Sequence, residues 1–193
     1  MIRKIFLSPL GYIIVAITNI IGFFFTPFMV CGRWNYVDRK LYKNIRVGSS
    51  TKFLVNKGVD IKDYCWIGQH CIIDGSFGVY IGEGVQISGL CGIFSHSSHN
   101  SLRIMGRKYI EVPYDKRLGY ISGSVSIGDY SFLGVGCIIL PGVTLGKGCI
   151  VGAGAVVNRS FPNHSIVAGV PARVIGSTLK YDAAINGFHT ENK

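Results

Sequence analysis

The residues best suited to chemistry lie in one interval of the 193-residue chain, FSHSSHNSLRIMGRKYIEVPYDKRLGY, which runs over positions 94–120. It holds His96 and His99, and its other charged side chains are mostly basic: Arg103, Arg107, Lys108, Lys116 and Arg117 against Glu111 and Asp115. A neutral imidazole accepts a proton near pH 7 and can thereby activate a weak nucleophile such as an alcohol. The interval therefore predicts a general base beside a surface that attracts anionic substrates.

A six-residue repeat surrounds this interval. An aliphatic side chain occupies one position of each hexad: Val55, Ile61, Ile67, Ile73, Ile81, Ile87, Ile93, Ile121, Ile127, Leu133, Ile139, Leu145, Val151 and Val157. Neither the 3.6-residue period of a helix nor the two-residue period of a strand explains this spacing. The repeat predicts a solenoid of short parallel strands with a stacked aliphatic core. The interval 94–120 breaks the repeat, so we expect it to project as a long functional loop.

A second set of positions, four residues after the aliphatic ones, carries small side chains. Its members are Val59, Cys65, Cys71, Val85, Cys91, Val125, Ser131, Cys137, Val143, Cys149 and Ala155. Five of the six cysteines fall here. This placement predicts small buried core residues rather than disulfides or metal ligands, and unpaired cysteines fit a reducing compartment.

The C-terminal third of the chain adds more specific motifs. Within residues 127–176 the segments Pro-Gly-Val-Thr (141–144), Gly-Ala-Gly (152–154) and Gly-Val-Pro-Ala-Arg (169–173) follow one another. With the hexads, they make residues 45–176 resemble the hexapeptide-repeat acyltransferases, in particular the maltose, galactoside and O-antigen sugar O-acetyltransferases. The resemblance implies an all-β fold, a left-handed parallel β-helix with one long loop. It also implies a homotrimer with active sites between neighbouring β-helices, acetyl-CoA as co-substrate and no metal.

The resemblance also assigns roles to particular residues. His96 matches the position of the family's catalytic histidine, and His99 is the second catalytic candidate, which could orient His96, contact acceptor hydroxyls or be a plain polar loop residue. Gly68 stands where these enzymes commonly have an asparagine that helps to hold the acceptor, so the acceptor sugar stays open. The residues expected to bind acetyl-CoA are Phe132, Gly134, Val135, Ala153, Asn158, Arg159 and Arg173.

The N-terminal region predicts a membrane contact. Residues 5–32 contain no charged side chain, and basic residues flank them on both sides. Such a stretch is long enough to span a bilayer, but Pro9, Gly22 and Pro27 interrupt it, so a single span, a re-entrant or interfacial anchor, and a buried core helix all remain open. We expect a hydrophobic helical, membrane-associating segment at 1–33, a basic linker at 34–44, the β-helix at 45–176 with its catalytic loop at 94–120, and a tail at 177–193.

Composition limits the other classes of function. Charged residues make up only 16% of the chain, against roughly 25% in ordinary domains, and 48% is apolar, which excludes a disordered chain. The net charge of +10 favours an anionic partner, but the sequence has no nucleic-acid-binding module, so no nucleic-acid partner is expected.

Two other functions of a β-helix are disfavoured. A carbonic anhydrase of the γ type would need zinc on His70, His96 and His99, but His96 and His99 are spaced too closely for that site. A non-catalytic β-helix would need repeated polar ladders, which are missing.

These observations predict an acetyl-CoA-dependent O-acetyltransferase with His96 as general base. The expected acceptor is a sugar hydroxyl of a cell-surface polysaccharide or a lipid-linked glycan precursor, reached from the cytoplasmic face of the bacterial inner membrane. The alternative is an N-acetyltransferase that acts on a nucleotide-linked amino sugar, for which an anchor is less needed.

Overall fold

The protein is described here from a computed structural model, which describes Ile13, Ala16, Ile17 and residues 26–183. Its described residues include the helix α1 (His99–Met105) and helical residues at 178–183, and 3₁₀ turns cover Asn56–Gly58, Gly106–Ile110 and Tyr114–Lys116. The strands, in chain order, are β1 (Met29–Asn35), β2 (Lys40–Gly48), β3 (Lys52–Leu54), β4 (Val59–Ile61), β5 (Trp66–Ile67), β6 (Ile72–Asp74), β7 (Val79–Ile81), β8 (Gln86–Ile87), β9 (Gly92–Phe94), β10 (His96–Ser97), β11 (Ile121–Ser122), β12 (Val125–Ile127), β13 (Phe132–Leu133), β14 (Ile138–Ile139), β15 (Thr144–Leu145), β16 (Ile150–Val151), β17 (Val156–Val157), β18 (Ser165–Ala168) and β19 (Arg173–Ser177).

Three sheets form the sides of a triangular prism. Sheet A has the strand order β1-β2-β5-β8-β13-β16-β18-β19, sheet B has β17-β14-β9-β6-β3, and sheet C has β15-β12-β7-β4. Each of the first four coils adds one strand to sheet A, one to sheet B and one to sheet C, and strands of successive coils pair in parallel. The fifth coil adds β16 and β17, and β18 then pairs antiparallel with β19 at the end of sheet A. In the second coil the A–B corner covers residues 68–71, the B–C corner 75–78 and the C–A corner 82–85. The fold is therefore a parallel β-helix, as the hexads predicted.

The core follows the predicted hexads closely. Twelve of the fourteen aliphatic positions are buried, and all eleven of the small positions are buried beside them. One coil takes 20 residues before the loop, where Ile61 pairs with Ile81, and 18 residues after it, where Ile127 pairs with Leu145. The aliphatic side chains thus stack in continuous columns, which no single coil could bury alone.

Two aliphatic positions were assigned wrongly. Val55 is 58% exposed, because the chain turns there with a φ of 50° to enter the Asn56–Gly58 turn. Ile121 is 39% exposed, because it lies in β11 at the base of the loop, and the coil resumes only at β12. Val55 lies at a corner and Ile121 lies outside the prism, so spacing alone does not predict which way the side chain points.

The expected linker at 34–44 is instead part of a hairpin. Strands β1 and β2 pair antiparallel from Met29–Gly48 to Asn35–Lys40, and β2 continues into sheet A. The buried Asn35 side chain ties the hairpin to the first coil, since its Nδ2 donates to the Ile61 carbonyl at 3.1 Å and to Asp60 Oδ1 at 2.6 Å. The last residues of the expected hydrophobic segment, 29–33, thus belong to this hairpin, and most of the segment lies outside the described residues. No helix within the described part of the chain is long and apolar enough to cross a membrane.

The cysteines occupy the positions that the small-residue pattern predicted. Five of them are buried and form no disulfide, namely Cys65, Cys71, Cys91, Cys137 and Cys149, and Cys31 is exposed and also free. Burial raises the pKa of Cys65 to about 12, which keeps its thiol protonated and unreactive at neutral pH.

A thiol reagent should therefore modify a single cysteine in the folded protein. We expect one equivalent of label on Cys31 under native conditions, and six equivalents after unfolding. Mass spectrometry of the intact protein measures both values, with Cys31→Ser as the control that should remain unlabelled when folded. Rapid native labelling of a second cysteine would contradict the core assignment.

The C–A corners alternate aromatic residues and glycine. Tyr64, Gly84, Tyr130, Gly148 and His164 hold equivalent positions in successive coils, each with a φ between 56° and 65°. A Cβ added to Gly84 would lie 2.6 Å from the ring of Tyr130, so the ring of one coil covers the bare backbone of the coil before it. Glycine is required at position 84 by this contact, while the left-handed conformation, which Tyr64, Tyr130 and His164 also adopt, adds a cost for any other residue.

Replacing Gly84 with Ala should destabilise the fold by about 2 kcal/mol or more, since the left-handed conformation and the ring contact both oppose the methyl group. Gly136→Ala is the matched control, because Gly136 has a φ of 69° but open space around it, and it should cost only about 1 kcal/mol. Urea unfolding monitored by circular dichroism gives both values. An equal loss in the free energy of unfolding for both variants would show that the Tyr130 ring moves aside at no cost.

Candidate active site

A histidine and a buried carboxylate meet at the B–C corner. Strands β6 and β9 stack in sheet B with Asp74 opposite Phe94, and His96 follows two residues later at the start of β10. His96 Nδ1 lies 2.6 Å from Asp74 Oδ2. The Asp74 side chain is 1% exposed, while the His96 side chain is 35% exposed. The pair therefore has one member fixed in the protein interior and one that faces solvent.

The Asp74 carboxylate is held by further hydrogen bonds. Ser76 donates to Oδ1 through its hydroxyl at 2.6 Å and its backbone N–H at 3.1 Å, and the buried Ser95 hydroxyl donates to Oδ2 at 3.2 Å. Burial alone would raise the pKa of Asp74, but the Ser76 hydrogen bonds and the adjacent His96 outweigh burial and leave that pKa below its ordinary value. Asp74 is therefore ionised and fixed in orientation at neutral pH.

This arrangement determines what His96 can do. A carboxylate only accepts hydrogen bonds, so the contact assigns the imidazole proton to Nδ1 and leaves the lone pair on Nε2. The same contact stabilises the imidazolium that forms when Nε2 takes up a proton. The geometry meets the requirements of a general base, since a proton acceptor faces solvent and a carboxylate orients it.

Aromatic rings surround the imidazole. Tyr120 stacks on His96 with ring centroids 5.8 Å apart and 15° between the planes, and Phe77 lies 6.0 Å away at 54°. Tyr114 meets the Phe77 ring edge-on at 5.5 Å. Burial raises the pKa of Tyr120, and nearby Tyr109 adds to the effect. These rings limit the access of water to the imidazole from the loop side.

Two sets of contacts hold the loop: a pair of strands at its base and an arginine side chain inside it. Strands β10 and β11 pair antiparallel, with His96 opposite Ser122 and Ser97 opposite Ile121. Near the end of the loop, Arg117 lies over the Tyr109 ring at 4.1 Å and donates through Nε to the Val112 carbonyl at 2.8 Å. The strand pair fixes the backbone of His96. Arg117 holds together the second half of the loop, which leads into β11.

His99 occupies a different position from His96. It is exposed at the start of α1, and its Nδ1 lies 2.8 Å from the Ser97 hydroxyl. Of the three roles expected for His99, the orientation of His96 is filled in the structure by Asp74. Sequence reasoning missed Asp74, although the 20-residue coil implied by the resumption of the hexads at Ile81 places residue 74 opposite residue 94.

The residues expected to bind the donor flank sheet B in its last coils. Gly134, Val135 and Ala153 stack at the A–B corner, where the Val135 carbonyl accepts from Gly154 N–H at 2.9 Å. A Cβ on Gly134 would lie 2.6 Å from the Ala153 nitrogen, so these coils are in close backbone contact. Arg173 pairs with Ala168 in the next coil of the same column and is exposed.

Asn158 and Arg159 lie on the other side of sheet B. They follow β17 at the B–C corner and are exposed, two strands along the sheet from the coil that carries His96. Two strand spacings correspond to about 10 Å along the prism. Phe132 stands apart from both columns, because it points outward from sheet A and is 40% exposed.

The described residues contain no group of three His, Cys, Asp or Glu side chains arranged to hold a metal ion. His70, which the zinc alternative required beside His96 and His99, lies at the A–B corner with its φ at 58°. The width of sheet B therefore separates it from the B–C corner that carries His96.

Comparison with known proteins agrees with this architecture. The bacterial transferase hexapeptide family (six repeats) matches residues 124–159. The dTDP-4-amino-4,6-dideoxy-D-glucose acyltransferase of Escherichia coli is 30% identical over 138 residues, which cover 71% of this chain and 70% of that protein. The galactoside O-acetyltransferase of E. coli is 33% identical over 106 residues, which cover 54% of this chain and 46% of that enzyme. A hexapeptide-repeat acetyltransferase of Vibrio cholerae, solved with acetyl coenzyme A, is 26% identical with a TM-score of 0.56, over 66% of this chain and 64% of that one.

The chain belongs to the hexapeptide-repeat transferases, and its prism is the left-handed parallel β-helix of that family. Within the family it is an acyltransferase, similar to an acyltransferase named for an amino sugar and to an O-acetyltransferase named for galactosides.

Proposed function

We propose that the protein transfers an acetyl group from acetyl-CoA to a sugar hydroxyl, with His96 as general base. The expected acceptor is a cell-surface polysaccharide or a lipid-linked glycan precursor. The observation that carries the proposal is the Asp74–His96 pair, whose geometry leaves Nε2 free to accept a proton at the base of the projecting loop. The galactoside O-acetyltransferase relative supports transfer to a sugar hydroxyl.

The reaction follows from the tautomer of His96. Nε2 takes the proton of the acceptor hydroxyl as the oxygen attacks the thioester carbonyl, and Asp74 stabilises the resulting imidazolium. When the tetrahedral intermediate collapses, the carbon–sulfur bond breaks and Nε2 returns the proton to the departing thiolate. The products are the acetyl ester and coenzyme A, and His96 is again neutral with its proton on Nδ1.

For the donor, we propose the two columns that flank sheet B together with Phe132. Gly134, Val135 and Ala153 would lie against the pantetheine, Asn158 would hydrogen-bond it, and Arg159 and Arg173 would bind the phosphates. The acetyl coenzyme A bound to the V. cholerae relative supports this choice of donor. We further propose, as the resemblance to the family implies, that this site lies between neighbouring chains of a homotrimer.

A second candidate is N-acetylation of a nucleotide-linked amino sugar. The E. coli relative that matches over 70% of its length is named for a dTDP sugar with a 4-amino group. The same base would serve, because an amine must lose a proton after it attacks the thioester. We also propose that residues 1–33 associate with the cytoplasmic face of the inner membrane, which suits a lipid-linked acceptor more than a soluble nucleotide.

The test is an acceptor screen with acetyl-CoA, monitored by loss of the thioester absorbance, which avoids thiol reagents that would label Cys31. Lipid-linked glycans and nucleotide-linked amino sugars form the two arms. Mild base releases an acetyl ester but not an acetamide, so treatment of the product distinguishes the two candidate functions. If the rate of thioester loss were the same with and without acceptor in both arms, the proposal would be overturned.

A further inference from the structure

A cavity on the outer face of sheet A is not used by the proposed chemistry. It has a volume of about 670 Å³ and lies at the N-terminal end of the prism, between the β1–β2 hairpin and the first coils. We call it the sheet A pocket. Its lining includes Lys43, Arg46, Tyr64, Trp66 and Gln86, with Cys31 at the hairpin. Its volume falls in the range of small-molecule sites, about 300–1,000 Å³.

The parallel register sets the order of the lining side chains. Arg46 pairs with Trp66, Trp66 with Gln86, and Gln86 with Phe132, all in successive strands of sheet A. These positions point outward at strand spacings of about 4.8 Å. A guanidinium, an indole and an amide therefore stand side by side on one rigid face.

The charge of the pocket is positive. Lys43 and Arg46 are both exposed, and neither forms an ion pair with any residue in the described part of the chain. The carboxylate of Asp63 at the neighbouring corner is instead engaged by Asn44, whose backbone and side-chain nitrogens donate to it at 3.1 and 3.0 Å. Two unneutralised cations thus remain available to an anionic ligand.

The combination of groups indicates the ligand. Arginine matches phosphate oxygens in geometry, and lysine adds a point charge. Trp66, 37% exposed, offers a ring face on which a base can stack, and the Gln86 amide can both donate to and accept from the edge of a base. We propose that the sheet A pocket binds a nucleoside diphosphate group, with the base on Trp66 and the phosphates on Lys43 and Arg46.

The topology relates this site to the reaction. In a triangular coil the B–C corner, which carries His96, is the vertex opposite sheet A. A ligand in the sheet A pocket therefore lies across the prism from the His96 of its own chain, so it could react only with the His96 of a second copy packed against sheet A, as in the homotrimer proposed above. The role of this ligand as the acetyl acceptor, a nucleotide-linked sugar, rests on the proposed function, whereas the binding itself does not.

Two sources could supply a nucleoside diphosphate group: a nucleotide-linked sugar and the nucleotide end of coenzyme A. The chain contains two tryptophans, Trp34 and Trp66, so the Trp34→Phe variant reports on the pocket through Trp66 alone. This variant of the full chain is titrated with dTDP, UDP, coenzyme A and inorganic diphosphate while its fluorescence is measured. We expect saturable quenching by dTDP or UDP, no comparable quenching by coenzyme A, and weak competition by inorganic diphosphate.

Variants locate the site. In the Trp34→Phe background, Lys43→Ala and Arg46→Ala should each weaken nucleotide binding about tenfold or more, while Lys52→Ala, which removes an exposed lysine from sheet B, should not. Bound nucleotide should also slow the labelling of Cys31. Quenching unaffected by Arg46→Ala, or saturable quenching by coenzyme A alone, would overturn the assignment.

The outcomes separate this inference from the proposed function. Binding is measured without turnover, so a nucleotide that binds in the pocket supports the site even if acetyl transfer fails. Rapid acetylation of a glycan acceptor, with no response of Trp66 to millimolar dTDP or UDP, would overturn the pocket and leave the proposed function intact.

Discussion

The His96→Ala variant should lose about 10²- to 10⁴-fold in kcat on the true acceptor, while its affinity for acetyl-CoA stays near that of the wild type. The loss is the usual contribution of a positioned general base, and alanine leaves no group that can take the hydroxyl proton. His96 is partly exposed, so its truncation leaves no large buried cavity. Steady-state kinetics of thioester loss, with donor binding measured by calorimetry, separates the two quantities.

The matched control for this variant is His70→Asn. His70 is exposed at the A–B corner with a φ of 58°, a conformation that asparagine tolerates, so the fold and the turnover should both be retained. Near-normal turnover of His96→Ala would refute the base assignment. His99→Ala tests the other loop histidine, and a loss confined to KM would place His99 on the acceptor.

Asp74→Asn should have the second largest effect, a fall in kcat/KM of about 10- to 100-fold, which is part of the general-base contribution. The amide can still accept from Ser76, but it carries no charge to stabilise the His96 imidazolium. The loss should fall on kcat rather than on the KM of either substrate, because the Asp74 side chain is buried and acts through His96.

The division of the loss between kcat and KM distinguishes this positioning role from a merely structural one. A variant that only loosened the fold would lower its melting temperature and weaken substrate binding together with kcat. Asp74→Glu serves as the conservative comparison, and thermal unfolding of both variants reports on the buried carboxylate site. A near-normal kcat in Asp74→Asn would contradict the proposed coupling of Asp74 to His96.

Much of the fold could be predicted from the sequence because one physical requirement repeats in it. Each strand is only a few residues long, and the side chain that enters the prism must be aliphatic and of similar size in every coil. Ile67, Ile87, Leu133 and Val151 satisfy this requirement in consecutive strands of sheet A. The spacing fails where the chain leaves the prism, as at Ile121, because no stacking constraint acts there.

The site could be predicted only in part. His96 stands out by residue type and by its place at the end of the hexads, but its partner is 22 positions away and carries no local motif. Asp74 becomes a partner because one coil of 20 residues returns the chain to the same corner. The expected linker at 34–44 also depends on a distant partner. Its basic side chains point to solvent, as in a linker, but its backbone pairs with β1 and is therefore a strand.

The pairing of β10 with β11 has an evolutionary consequence. The chain departs from the prism and rejoins it at adjacent points, so what lies between these strands is independent of the coil register. The free energy of closing such an insertion rises by only about 0.6 kcal/mol for each doubling of its length. A lineage could therefore exchange residues 98–120 for a longer or shorter segment, and with it the preferred acceptor, while Asp74 and His96 keep their geometry on an unaltered scaffold.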